Sequence, residues 1–191
     1  NEDTYAFIDD IFASVAEMFT SRKINVGMDE AHMVGTGGYL RKFGYKDRYA
    51  IMIGHMRRVS QIAAKYGFTM YMWSDMLIRP AFGDNDKQSE ISGPISIDIP
   101  DNVHLIYWDY FSDDVKYYDK HIRKHKQVTE RLSFAGGCWK WVGQAPLNKT
   151  GLARSRAALA SCAANGVREV LATVWSDNGA ECPLYAVLPQ I

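Results

Sequence analysis

Five short apolar runs recur along the chain, each ending in polar or aromatic residues and most preceded by a stretch with helical periodicity. This alternation limits the folds open to it. The runs are "INVGM" (24–28), "FTMYMWSD" (68–75), "VHLIYWDY" (103–110), "LSFAGGCWKW" (132–141) and "EVLATVWSD" (169–177). They are too short for core helices and too continuously apolar for half-solvated strands, so they read as buried parallel strands. Between them lie helical stretches. Residues 4–20 place Phe7, Ile8, Ile11, Phe12, Val15, Met18 and Phe19 on one face, predicting a packed helix. Further helices are predicted around 49–66, stopping at Gly67, over 114–130, and over 151–165, stopping before Gly166. A polar segment with Gly83, Gly93, Pro94 and Pro100 separates the second strand from the third.

A parallel sheet covered by helices is either a (β/α) barrel or an open doubly wound sheet. Two features favour the barrel. "GTGG" (35–38) follows its strand by several residues and lacks the GxGxxG spacing that cradles a dinucleotide phosphate. The carboxyl ends of all five strands carry chemistry: Asp29 and Glu30; Trp73 and Asp75; Trp108, Asp109 and Tyr110; Trp139 and Trp141; Trp175 and Asp177. In a barrel those ends converge on one site. A full barrel has eight units in about 250 residues, whereas this chain offers five strands in 191 residues. The reading is an α/β fold, a partial (β/α)8 TIM barrel in which residues 1–191 form the C-terminal portion of one domain.

Composition narrows the partners. With 22 basic and 22 acidic residues the formal charge is zero, so no global field favours nucleic acid or an anionic membrane. The local cluster "KHIRKHK" (120–126) reads as a solvated helix face. Cys138, Cys162 and Cys182 have no CxxC or Cys/His spacing and read as buried thiols. His32, His55, His104, His121 and His125 form neither HxH nor HExxH, so neither a metal nor another cofactor is implied. No apolar run approaches the roughly 18 residues of a membrane span, and no signal segment opens the chain, which leaves the compartment open between cytoplasmic and secreted or cell-surface.

All five tryptophans lie beyond residue 70, most of them at strand ends. An indole face stacks on the C–H face of a sugar ring while neighbouring carboxylates accept hydrogen bonds from hydroxyls, so the pattern suits a carbohydrate pocket. Asp29 and Glu30 are its sharpest element. A regular strand would send adjacent residues to opposite faces, but a turning backbone at a strand end can bring both acids to one rim. Burial and mutual repulsion then tend to raise the pKa of one, making it a general acid beside a carboxylate.

In this order and on successive strand ends, "GMDEAH", "WSDM", "YWDYF", "FAGGCWKW" and "TVWSDNGAE" resemble family 20 glycoside hydrolases, the β-N-acetylhexosaminidases, most of all the bacterial branch. The resemblance covers nearly the whole chain as strands 4 to 8 of the catalytic barrel. It implies substrate-assisted retaining hydrolysis of terminal N-acetylglucosamine or N-acetylgalactosamine, in which the 2-acetamido oxygen attacks C1 to form an oxazolinium ion, the exception to the two-carboxylate rule. Glu30 would be the acid and then the base, Asp29 would hold the acetamido N–H, and Tyr110 would donate to the acetamido oxygen. Trp73, Trp108, Trp139 and Trp175 would wall the pocket and Asp177 would take the 4- and 6-hydroxyls. Asp75, Asp109, Trp141 and Glu181 are further binding candidates, and His32 a supporting partner of the acids.

The family's arginine for the non-reducing end comes from the first strand, which is not in this sequence. The chain is therefore expected either to self-associate through an open barrel edge, to associate with the missing N-terminal half, or to act weakly alone. Two other readings are a sugar-binding module with the same pocket but no turnover, and a metal-dependent hydrolase on the same fold.

Overall fold

A computed structural model of the chain describes residues 2–82, 97–177 and 183–191. Glu181, Cys182, Gly83, Gly93 and Pro94 lie outside these residues. The elements run α1 (Glu2–Met18), β1 (Lys23–Asn25), α2 (Gly37–Phe43), α3 (Arg48–Lys65), β2 (Thr69–Trp73), α4 (Asp75–Phe82), β3 (Val103–Trp108), α5 (Val115–Lys126), β4 (Leu132–Gly137), α6 (Asn148–Ala164), β5 (Val170–Thr173) and a 3-10 helix (Leu184–Gln190). The strands are parallel and pair in the order β1-β2-β3-β4-β5, with helices covering them, the arrangement expected of part of a (β/α)8 barrel. The chain divides into two compact units, Asn1–Leu105 and Ile106–Ile191, with the boundary inside β3.

In the first unit β1 and β2 align Lys23 with Thr69, Ile24 with Met70 and Asn25 with Tyr71. The core beneath them comes from Met52, Met56, Val59 and Ala63 of α3, Met70 and Met72 of β2, and Leu77 and Ile78 of α4. Asp47 caps α3 by accepting the Ala50 N–H at 3.0 Å, and Gly67, at φ 72°, ends the turn that follows it.

Two expectations change here. The "INVGM" strand is shorter than read and not fully buried: Lys23 and Asn25 are exposed and Ile24 half-buried, because β1 is an edge strand with β2 on one side only. The apolar face of α1 is not packed along its length either. Phe12 is buried, meeting Phe68 edge-on at 5.9 Å, but Phe7 is 64% and Met18 78% exposed. Polar contacts hold α1 to the end of α3: Asp9 accepts from Lys65 Nζ at 2.6 Å and from the Tyr66 hydroxyl at 2.5 Å, and Glu2 pairs with Arg58.

In the second unit β4 and β5 align Phe134 with Val170 through Gly137 with Thr173. Phe134, Ala135, Tyr118, Ile122, Ala157, Ala158, Cys162 and Val187 form its core. The solvated face expected of "KHIRKHK" is a correction, since His121, Ile122, Lys124 and His125 are buried on α5. Tyr118, His121, Ile122 and His125 follow the i, i+3, i+4, i+7 stripe of a core-facing helix. Two imidazoles fill apolar positions of that stripe. The His125 ring lies 4.6 Å from that of Tyr107, and His121 lies 4.5 Å from Tyr117. Cys138 and Cys162 are buried free thiols, as expected. A short helix, α2, and the 3-10 helix lie where the sequence analysis assigned no element.

Candidate active site

The acid pair sits on a backbone that has left the strand. Gly27, Met28 and Glu30 all adopt left-handed conformations, at φ 74°, 72° and 47°. For Met28 and Glu30 that conformation costs energy that glycine would not incur, so the surrounding structure must impose it. Four contacts do so. The Val26 N–H donates to the Tyr71 carbonyl at 2.9 Å, Trp73 donates to the Gly27 carbonyl at 3.0 Å, and Gly27 donates to the Asn25 side chain at 2.9 Å. Asp75, at the start of α4 and nearly buried, accepts the Glu30 N–H at 3.0 Å.

The turn solves the problem of placing adjacent acids, because a left-handed residue on either side of Asp29 breaks strand alternation. Asp29 and Glu30 are both exposed, so the enclosure expected around the pair is not supplied by the described residues of their unit. His32 is also exposed, and its carbonyl accepts from Arg48 at 3.1 Å. Trp73 is half-buried at the end of β2. The structure thus gathers Asp29, Glu30, Trp73 and Asp75 around one turn, with Asp75 turned to the backbone.

The second unit gathers the aromatic residues. Tyr110 lies 5.7 Å from Trp108, 4.8 Å from Phe111 and 4.9 Å from Trp141, ring centre to ring centre, and Trp141 lies 4.7 Å from Trp139. Gly137 makes this wall possible. A β-carbon there would sit 2.7 Å from the Tyr110 ring and 2.8 Å from Trp141, closer than any side chain tolerates. The glycines of "FAGGCWKW" therefore end β4 where two rings cross the backbone.

Asp109 is buried. Its Oδ2 accepts from the Tyr107 hydroxyl at 3.1 Å and the Tyr117 hydroxyl at 2.8 Å, and its Oδ1 accepts the Phe111 N–H at 3.0 Å. These bonds brace the turn that presents Tyr110. Burial, with the Asp109 charge next, holds the Tyr107 hydroxyl well above the usual phenol range. Trp175 and Asp177 are exposed beyond β5. Buried Lys140, between the two tryptophans of "WKW", donates to Ser176 Oγ at 2.8 Å and so ties the segment carrying Trp175 and Asp177 to the end of β4.

Sequence reasoning missed Lys140, Arg154 and Gln190. The Arg154 guanidinium stacks 4.3 Å above the Trp139 ring and donates to the Tyr110 carbonyl at 3.3 Å. "WKW" advertises its rings rather than the lysine between them, and Arg154 reads as an ordinary helix-surface cation. Among the described residues no group of three or more His, Cys, Asp or Glu side chains is placed to hold a metal ion, and no helix is long and apolar enough to cross a membrane.

The family model "Glycosyl hydrolase family 20, catalytic domain" matches residues 1–124. No curated protein sequence matches the chain. Among solved structures it is similar to the β-N-acetylhexosaminidase of Bacteroides fragilis NCTC 9343, at 15% identity and a TM-score of 0.54, covering 100% of this chain and 40% of that one. It is also similar to the family 20 exo-β-N-acetylglucosaminidase of Vibrio harveyi, solved in complex with N-acetylglucosamine, at 14% identity and a TM-score of 0.56, covering 97% of this chain and 29% of that one. An inactive mutant of the Vibrio enzyme matches equally well. The chain spans less than half the length of these structures, and the likeness shows the fold, five parallel strands of a (β/α)8 barrel with their helices. With 124 of 191 residues matched by the family model, this chain belongs to glycosyl hydrolase family 20.

Proposed function

We propose that this chain carries the catalytic acids and the acetamido-binding residues of a β-N-acetylhexosaminidase that works by substrate-assisted retention. The observation that carries the reading is the Asp29–Glu30 turn, held in left-handed backbone by the Asp75 carboxylate. Backbone strain of this kind clusters at functional sites, which supports reading the turn as the device that brings both carboxylates to one rim.

Glu30, protonated, gives its proton to the glycosidic oxygen as the C1–O bond breaks. The substrate's own acetamido carbonyl oxygen forms the new bond to C1, giving an oxazolinium ion with inverted configuration. Asp29 accepts the acetamido N–H, which orients that carbonyl and offsets the positive charge that develops on the ring. Tyr110 donates its hydroxyl hydrogen to the same carbonyl oxygen. Glu30, now a carboxylate, takes a proton from water, and the hydroxide portion attacks C1 from the face the leaving group vacated. The second inversion restores the original configuration and the acetamide.

Trp73, Trp108, Trp139, Trp141 and Trp175 supply apolar faces for the sugar and its methyl group, and Asp177 accepts from the 4- and 6-hydroxyls. Glu181 is a further substrate-binding residue in this scheme, and His32 supports the acid pair. Asp75 and Asp109 act through the backbone they hold. The discriminating test compares 4-nitrophenyl N-acetyl-β-D-glucosaminide with the plain β-D-glucoside. Hydrolysis of the first alone supports an internal acetamido nucleophile, and equal hydrolysis of both counts against it.

A second reading rests on the exposed edges. β1 is half-solvated, Val170 and Leu171 of β5 are exposed, and α1 leaves Phe7 and Met18 uncovered. An open parallel sheet edge is a template for pairing. On this reading the chain acts only when a second copy or the remaining barrel strands cover those edges, and alone it binds sugar without turnover. Sedimentation beside the hydrolysis assay separates the two: an active monomer excludes the second reading, and activity confined to an associated species supports it.

A further inference from the structure

Gln190, on the 3-10 helix, is joined to the aromatic wall in a way that the proposed chemistry does not by itself require. Its Oε1 accepts the backbone N–H of Trp139 at 2.8 Å, and its Nε2 donates to Asn148 Oδ1 at 2.6 Å. Asn148 in turn donates to the Ala186 carbonyl at 3.2 Å, closing a clasp between the start of α6 and the 3-10 helix. The side chain is nearly buried, a position that demands satisfied polar atoms, and these bonds satisfy it.

Gly151 explains how the amide reaches that position. It lies in the first turn of α6 with ordinary helical backbone, so no conformational need selects glycine there. A β-carbon at Gly151 would lie 1.7 Å from Gln190 Oε1 and 2.5 Å from its Cδ. The missing side chain is a notch, and the Gln190 amide fills it. Glycine is a poorer helix residue than alanine, and the fit of the Gln190 amide gives the notch a structural reason.

What the amide holds is fixed on every side. Besides the bond to Gln190, the Trp139 carbonyl accepts the Leu147 N–H at 2.8 Å, its Nε1 donates to the Tyr110 carbonyl at 2.8 Å, and Arg154 covers one ring face. We infer that Gln190, seated in the Gly151 notch, is a positioning residue for the sugar-binding wall: it sets Trp139, and Trp139 sets Tyr110. The inference rests on the proposed function for its ligand, an N-acetylated sugar, and on the hydrogen bonds alone for the positioning.

The test uses the full chain with Gln190→Ala, Gly151→Ala, the double variant and Gln190→Glu, each read by near-ultraviolet circular dichroism of the tryptophans and by N-acetylglucosamine titration. Gln190→Ala and Gly151→Ala should each weaken the tryptophan band and raise the sugar Kd by about three- to tenfold, the loss expected for one buried hydrogen bond. Far-ultraviolet helicity should remain. The double variant should be no worse than the worse single one, because both changes remove the same contact. Gln190→Glu keeps the acceptor for the Trp139 N–H but loses the donor to Asn148 Oδ1, and should retain more of the band than Gln190→Ala. An unchanged band in Gln190→Ala, or additive losses in the double variant, would overturn the inference. Absence of sugar binding by the unaltered chain would count against the proposed function, and the tryptophan band would still decide the positioning role.

Discussion

Asp75 Oδ2 accepts the backbone N–H of Glu30 at 3.0 Å, so an acid offered by the sequence as a sugar contact also holds another acid's backbone. Glu30 stands at φ 47° and Asp75 is 7% exposed, which makes the bond a buried, charge-assisted clamp on strained backbone. Asp75→Ala is expected to lower stability by about 1.5–3 kcal/mol and to reduce kcat with little change in KM, because it misdirects Glu30 rather than removing a sugar contact. Asp75→Asn keeps an acceptor oxygen and should lose much less. Urea denaturation with steady-state kinetics on the three proteins checks both parts.

Gly27 supports the same turn through conformation alone. A β-carbon there meets only Asp29 Oδ1, at an ordinary 3.7 Å, while φ is 74°. Gly27→Ala should therefore cost about 1–2 kcal/mol, the penalty of left-handed backbone for an L-residue, with no overpacking on top. A loss above that range, measured by denaturant unfolding, would point to a contact that this account lacks.

Three donors converge on Asp109, the hydroxyls of Tyr107 and Tyr117 and the Phe111 N–H. Tyr117→Phe removes one donor and should cost about 1 kcal/mol, whereas Asp109→Ala strands all three and should cost about 3 kcal/mol or more. Thermal unfolding of the two variants orders them. Near-equal losses would mean that Asp109 is held for a different reason.

Stability should fall in alkali for a traceable reason. Burial pushes the Cys162 thiol up to about 12, whereas an unfolded thiol ionises near 9.0. Between those values the unfolded chain gives up a proton that the folded chain keeps, so rising pH favours unfolding. The stabilisation is complete below pH 9 and is lost as pH climbs towards 12. Cys162→Ala should flatten that part of the stability profile, and in the native chain both Cys162 and Cys138 should resist thiol reagents at pH 8. Labelling without unfolding would contradict the burial of these thiols.

Much of this architecture was legible in the sequence, because continuous apolar strands and strand-end chemistry are short-range signals. The starts of β2 to β5 fell within one or two residues of where the apolar runs placed them, and Gly67 marked the turn after α3. The Asp29–Glu30 step was visible as an anomaly, since strand alternation cannot serve two adjacent acids, but the left-handed residues that resolve it were not. Met28 carries no sign of a positive φ. What failed did so where burial depends on distant partners. Nothing local in "KHIRKHK" shows that the Tyr107 and Tyr117 rings will pack against its histidines. The periodicity of α1 promised a packed face but not that Phe7 and Met18 would stay exposed. Gly151 and Gln190 lie 39 positions apart, and each looks unremarkable without the other.

The most direct measurement is turnover of 4-nitrophenyl N-acetyl-β-D-glucosaminide by the unaltered chain beside Glu30→Gln and Asp29→Asn. The unaltered chain is expected to release 4-nitrophenol, and Glu30→Gln to lower kcat by about 10²-fold or more, the usual contribution of a positioned general acid, with a comparable loss in Asp29→Asn. Undiminished turnover by Glu30→Gln would contradict the proposed role of Glu30.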